Sequence, residues 1–104
     1  MLNQIVIIGR LVANPIINEE DGKKISKITI AVPRSYKNED GIYDTDFIDA
    51  ILWNGIANNV VEYCHKGDLL GIKGRLESRK EKDKNIMQVV AEKVTFLSSK
   101  KEEE

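Results

Sequence analysis

The chain has 104 residues, 41% hydrophobic with 7 glycines, the size and make-up of one folded domain rather than of two domains or a disordered segment. Its 16 Lys+Arg against 17 Asp+Glu give a formal net charge of -1, so the total carries no mark of a nucleic-acid binder. A single cysteine, Cys64, rules out an internal disulfide, and with one histidine it leaves no zinc-ligand cluster and predicts a reducing, cytoplasmic setting. The start, Met1-Leu2-Asn3-Gln4, lacks a basic leader with a long apolar run, and no stretch approaches a membrane span, so neither export nor membrane association is expected. A core of this size is small and gains from self-assembly.

From Asn3 to Ala13 a β-branched run with one glycine reads as a strand buried on both faces with a bulge at Gly9, ended by Asn14-Pro15. A polar turn, Asn18 to Gly22, leads to a strand at Lys27 to Val32, with Ile28, Ile30 and Val32 on one face and Lys27, Thr29 and Ala31 on the other. Ser35 to Thr45, with Tyr36, Tyr43 and the turn signal Asp40-Gly41, reads as a loop long enough to be functional. The third strand, Asp46 to Trp53, sends Ile48, Ala50 and Leu52 to one side and Phe47, Asp49, Ile51 and Trp53 to the other.

Asn54 or Gly55 then caps a short helix with an apolar stripe of Ile56, Val60, Val61 and Cys64, ended by Gly67. The fourth strand, Asp68 to about Lys80, alternates Leu70, Ile72, Gly74 and Leu76 against Lys73, Arg75, Glu77 and Arg79. A charged tip from Lys80 to Asn85 leads to a last strand, Ile86 to Leu97, whose alternation slips at Glu92-Lys93 and predicts a bulge there. Five strands with one helix between the third and fourth predict an all-β protein, a five-stranded OB-fold Greek-key barrel over residues 1–97. Residues 98–104 form a short polar, acidic tail.

Catalysis is not expected. There is no Gly-x-Ser-x-Gly, Walker loop or His-Glu-x-x-His, and Cys64 and His65, adjacent on a helix, point about 100° apart. Asp44, Asp46 and Asp49 read as a solvated acidic stretch rather than metal ligands, and no cofactor or metal is expected. The placement of charge says more than its sum. Lys23 to Lys37 holds five bases and no acid, Asn38 to Asp49 five acids and no base, and Lys73 to Lys84 six bases against three acids. Phosphate binding depends on local basic surface, so the cancelling total does not exclude it. Single strands are held by a basic track with aromatic platforms, and Phe47 and Trp53 share a strand face opposite the core residues. Asp49 between them would repel phosphate unless paired with a base, for which Lys73 and Arg75 are candidates.

Three segments carry a resemblance: Met-Leu-Asn-Gln-Ile-Val-Ile-Ile-Gly-Arg-Leu-Val-Ala-Asn-Pro at the start, Asp-Phe-Ile-Asp-Ala-Ile-Leu-Trp at 46–53, and Lys-Gly-Asp-Leu-Leu-Gly-Ile-Lys-Gly-Arg-Leu-Glu-Ser-Arg at 66–79. In this order and spacing the chain resembles the bacterial and phage single-stranded DNA-binding protein family over about residues 1–97. The resemblance implies an OB-fold that wraps single-stranded DNA, commonly as a homotetramer, and protects it in replication, recombination and repair. It implies stacking at Tyr36, Phe47 and Trp53 and phosphate contacts at Arg79 and Lys80. The position after Lys80, often a stacking tryptophan in the family, is Glu81, and Glu77 stands where some members carry a base. The ending Ser-Ser-Lys-Lys-Glu-Glu-Glu is acidic without the apolar last residues by which family members recruit replication and repair proteins.

The expected function is therefore sequence-tolerant binding of single-stranded DNA, with Tyr36, Phe47 and Trp53 as platforms and Arg10, Arg34, Lys37, Lys73, Arg75, Arg79 and Lys80 as phosphate contacts. The alternatives are a primosome-type accessory module acting through protein contacts, and a structural oligomer whose first strand pairs with its symmetry mate.

Overall fold

In a computed structural model, which describes residues 1–99, the alternating stretches form β1 (Ile5–Leu11), β2 (Asn18–Glu20), β3 (Lys23–Lys37), β4 (Tyr43–Trp53), β5 (Leu69–Glu81) and β6 (Lys84–Ser98). One helix, α1 (Asn54–Tyr63), lies between β4 and β5. The sheet order is β1-β5-β6-β4-β3-β2, and β1 also pairs with β3, so the five long strands close into the expected OB-fold barrel. All pairings are antiparallel except β4 with β6, which run parallel through Ala50–Val89 and Ile51–Val90. The tail expected over residues 98–104 lies outside the described residues beyond Ser99.

The core collects the inward face of every long strand: Leu11, Ile28, Ile30, Ala50, Leu52, Leu70, Ile72, Val89 and Ala91, closed at one end by Ala57 and Val60 of α1 and by Cys64, which lies just past the helix in extended backbone rather than on it. The alternation read in β3, β4 and β5 thus selects the buried side. A smaller cluster of Ile25, Ile51 and Val90 sits on the outer face, and Trp53 packs against it. The slip expected in the last strand is present. Lys73 pairs with Lys93 but Gly74 with Ala91, leaving Glu92 as the extra residue. A Cβ at Gly74 would strike the Val90 carbonyl, which is why the residue opposite the bulge is glycine.

Five expectations are corrected. β1 is not buried on both faces: Ile5 and Ile7 turn inward, while Val6 and Ile8 are 68% and 53% exposed. Gly9 is not a bulge, since the β1–β5 register runs unbroken from Ile5–Gly74 to Arg10–Leu69. A side chain there would collide with Ile30, Val32 and the Ala31 carbonyl where β1 crosses to β3. The polar turn at Asn18 includes a strand, β2, joined to β3 by Asp21 and Gly22 at φ 52° and 77°, a two-residue hairpin whose two positive angles match the strand twist. The segment from Ser35 to Thr45 is not one loop, because β3 runs on to Lys37 and β4 starts at Tyr43, leaving only residues 38–42 as the turn. Lys37 lies opposite Tyr43, with a register shift between Pro33 and Lys37, so β3 and β4 form an arm past the core. At the helix start Trp53 is the N-cap and gives no side-chain bond, so neither Asn54 nor Gly55 caps it.

Candidate nucleic-acid interface

The β3–β4 register fixes one outward face. Its cross-strand rows are Ile25–Trp53, Lys27–Ile51, Thr29–Asp49 and Ala31–Phe47. Phe47 stands out of this face at 66% exposure, because its neighbours Ile48 and Ala50 already serve the core and only alanine lies opposite. Trp53 shares the face but is half-buried, since Ile25, Ile51 and Val90 provide an apolar bed for its ring. Asp49 is paired with neither Lys73 nor Arg75. Its Oδ1 accepts a hydrogen bond from Thr29 Oγ1 across the row at 2.8 Å.

Further out the arm carries Tyr36, 63% exposed, and Lys37, whose Nζ lies 5.7 Å from the centre of the Tyr43 ring, within cation–π range. The turn at the end is set by Asn38, whose Oδ1 accepts the backbone N–H groups of Asp40 and Ile42 at 2.9 and 3.0 Å. Arg34 is held by the acidic strand opposite. Its Nε and Nη2 donate to the Asp46 carboxylate at 3.2 and 2.9 Å, and Asp44 lies 3.8 Å away. These hydrogen bonds hold the Asp46 carboxyl below its ordinary range and push the Arg34 guanidinium up. Asp44 and Asp46 are therefore strand residues engaged with a base, and the acidic stretch is not simply solvated.

The β5–β6 hairpin forms a second arm. Arg75 donates to Glu77 at 2.6 Å and to Glu92 at 3.0 Å, and the first of these bonds leads in raising its guanidinium. Arg79 donates to Glu81 at 3.1 Å. Lys80 has no ion pair among the described residues, and the tip turns through Lys82 and Asp83 at φ 49° and 65°. Arg79 and Glu81 reach a cleft of about 330 Å3 over the β3–β4 face, shared with Lys27, Thr29, Asp49 and Gln88.

The expected phosphate contacts accordingly do not form one track. Arg79 joins the face of Phe47 and Trp53, and Arg34, Tyr36 and Lys37 lie on the first arm. Lys73 has the same strand parity as Arg79, yet the twist of β5 places it beside Val6, Ile8, Lys93 and Leu97 around another groove. Arg10 is committed in part to the fold, donating to the Gly67 carbonyl at 2.9 Å. Tyr43 and Gln88 belong to the exposed arm and the cleft but were not among the expected contacts. Lys37 directly opposite Tyr43 is visible only once the arm is known to be paired. Cys64 is buried, and desolvation, with Asp68 adding to it, raises its thiol and leaves it unreactive.

The description "Single-strand binding protein family" matches residues 2–97. The chain belongs to this family. It is 42% identical to single-stranded DNA-binding protein 1 of Clostridium acetobutylicum over 97% of this chain and 98% of the relative. It is 33% identical to single-stranded DNA-binding protein B of Bacillus subtilis, over 99% and 96%. Its fold is similar to that of a deletion mutant of the single-stranded DNA binding protein from Thermus aquaticus, with a TM-score of 0.78 at 29% identity, over 93% of this chain and 51% of that one. These family matches do not favour the primosome-type alternative.

Proposed function

We propose that this family member binds single-stranded DNA without strong sequence demand, laying bases on the outer face of β3 and β4 between the two arms. The observation that carries the reading is Phe47. A phenylalanine two-thirds exposed on a strand whose opposite face is fully used by the core has no packing role, and a flat apolar ring in that position is a stacking platform. Tyr36 extends the row of platforms along the arm, and Trp53 presents the exposed part of its ring. Lys37, Lys80 and Arg79 border this path, and Arg34, Arg75 and Arg10 contact phosphate to the extent that they exchange their present partners. The activity is passive: stacking and charge hold the strand against re-pairing, in the cytoplasm, in support of replication, recombination and repair.

A second copy of the chain is the proposed cover for the outer face of β1 and β5. Val6, Ile8 and Leu97 line a groove of about 310 Å3 there, over Gly71, and β-branched residues left in water on a barrel strand are best satisfied by the same face of another subunit. A homotetramer is the assembly this reading favours, since several barrels would multiply the grip on one strand. Sedimentation of wild type against Ile8→Glu reads the assembly, and a monomeric wild type would refute this part.

Titration with oligo-dT, following the fluorescence of Trp53, the single tryptophan, at two salt concentrations tests the binding itself. Quenching that weakens with salt is the expected result. Unchanged emission with no change in mobility on a native gel would overturn it.

A further inference from the structure

The cleft over β3 and β4 contains a carboxylate where a phosphate-binding groove has no use for one. Asp49 lies in the middle of the proposed path, between Phe47 and Ile51 along its strand, and its Thr29 bond fixes the carboxylate in place. That bond occupies Oδ1. Oδ2 has no hydrogen-bond partner among the described residues, and neither does the side-chain amide of half-buried Gln88. Ala50 pairs with Val89 and Ile51 with Val90 in parallel, so Asp49 and Gln88, one residue back on each strand, sit side by side on the cleft wall. Across the cleft, Glu81 is paired with the Arg79 guanidinium, whereas Asp49 has no basic partner among the described residues.

An ionised carboxylate is an acceptor only, and a glutamine amide offers both a donor and an acceptor. Facing a base, the pair asks for N–H donors beside an acceptor. Guanine supplies this with N1–H and the N2 amino group toward the carboxylate and O6 toward the amide. Thymine presents a single N–H between two carbonyl oxygens, which the carboxylate repels. We infer that Asp49 and Gln88 form a base-reading subsite in the strand-binding cleft, selective for guanine over thymine. This rests on the proposed binding of single-stranded DNA and deepens it: the backbone and stacking contacts tolerate any sequence, and one position of the path prefers amino-bearing edges.

The test compares oligo-dT with oligonucleotides of equal length in which spaced thymines are replaced by guanine or by hypoxanthine. Both purines stack alike, but hypoxanthine lacks the N2 amino group, so their ratio isolates the edge contact from stacking. Wild type is expected to favour the guanine strand over the hypoxanthine strand by about fivefold, the lower range of a good bidentate contact, with oligo-dT weakest. Asp49→Asn should bring that ratio close to one while strengthening binding to oligo-dT. Gln88→Ala should lower the ratio less, and it reads the same quantity should Asp49→Asn not fold. Equal binding of guanine and hypoxanthine strands by wild type overturns the inference and leaves strand binding intact. If Asp49→Asn raises affinity for all three strands by one factor, the inference is also overturned, because the carboxylate then acts through charge alone. Absence of binding to all three overturns both readings.

Discussion

The two β-arms solve the same problem of carrying charge beyond the barrel in opposite ways. In the β3–β4 arm the signs are separated by strand: the basic run Lys23 to Lys37 lies antiparallel to the acidic run Asn38 to Asp49, and Arg34 closes on Asp46 across the gap. In the β5–β6 arm they alternate within one strand, so that Arg75 meets Glu77 and Arg79 meets Glu81 two residues along. The first arm is nearly neutral in its pairs and rich in rings. The second has no aromatic residue from Arg75 to Val90, and it ends in the bases Lys80, Lys82 and Lys84, offset by Glu81 and Asp83. Exposed rings therefore gather on one arm and loose positive charge at the tip of the other, and surface ion pairs of this kind, worth little to the fold, decide mainly which cations remain available.

The sharpest way to break this division is to remove Phe47, the most exposed of the rings on β3 and β4. Phe47→Ala should cost about 1–3 kcal/mol of binding, roughly 5- to 150-fold in affinity, with the melting temperature unchanged. Trp53→Ala should weaken binding too, but it should also lower stability by about 2 kcal/mol, because its ring covers Ile25, Ile51 and Val90. Parallel titrations and thermal melts separate the two. A stability loss in Phe47→Ala as large as that of Trp53→Ala would show that both rings are packing residues.

The complementary change gives the second arm what it lacks. Glu81→Trp places a platform at the tip-proximal end of β5 and releases Arg79 from its carboxylate. Affinity should rise by about tenfold, the scale of one added stack. The salt dependence should also steepen by about 0.7 in log–log slope, one further phosphate contact on a single strand. A gain in affinity without a steeper slope would mean that Arg79 does not reach phosphate.

A smaller effect tests whether the first arm's cation is restrained. Asp46→Asn should free Arg34 and strengthen binding about two- to threefold at neutral pH, for all sequences alike. Arg34 holds the Asp46 carboxyl below its ordinary range, so the pair's contribution is fully present above the ordinary aspartate pKa and is lost only as pH falls through the lowered value. Wild type and Asp46→Asn should therefore differ throughout mildly acidic and neutral pH and converge only in strong acid. A difference that vanished already in mild acid would place the effect elsewhere.

Much of this contrast was legible in the sequence, for a physical reason. Period-2 alternation is local, so the opposite placement of Leu52 and Trp53 or of Ile72 and Lys73 needs no knowledge of partners, and Glu92 betrays its bulge by shifting the phase. What stayed hidden depends on residues far apart or on backbone alone. The partial burial of Trp53 is created by Ile25 and Val90 from other strands. The arm from Ser35 to Thr45 buries nothing, so its pairing leaves no hydrophobic signal, and the three exposed residues of β2 are silent for the same reason. Lys73 and Arg79 share parity, but the twist accumulated over six residues turns them to different grooves.

The least effect concerns the tips, where the arms differ in how their turns are built. The first arm ends in a turn suited to its angles, with Gly41 at φ 76° and Asn38 bonding the backbone. The second bends through Lys82 and Asp83, both at positive φ, where an ordinary side chain costs about 1 kcal/mol and asparagine followed by glycine costs least. Replacing Lys82 by Asn and Asp83 by Gly should then stabilise the protein by about 1 kcal/mol, a rise of roughly 4–8 °C in melting temperature for a domain of this size. The change removes one charge of each sign, so the net charge of the tip is unaltered. Binding should therefore stay within about twofold if the second arm acts through Lys80 and Arg79, and a larger loss would move its phosphate contact out to the turn itself.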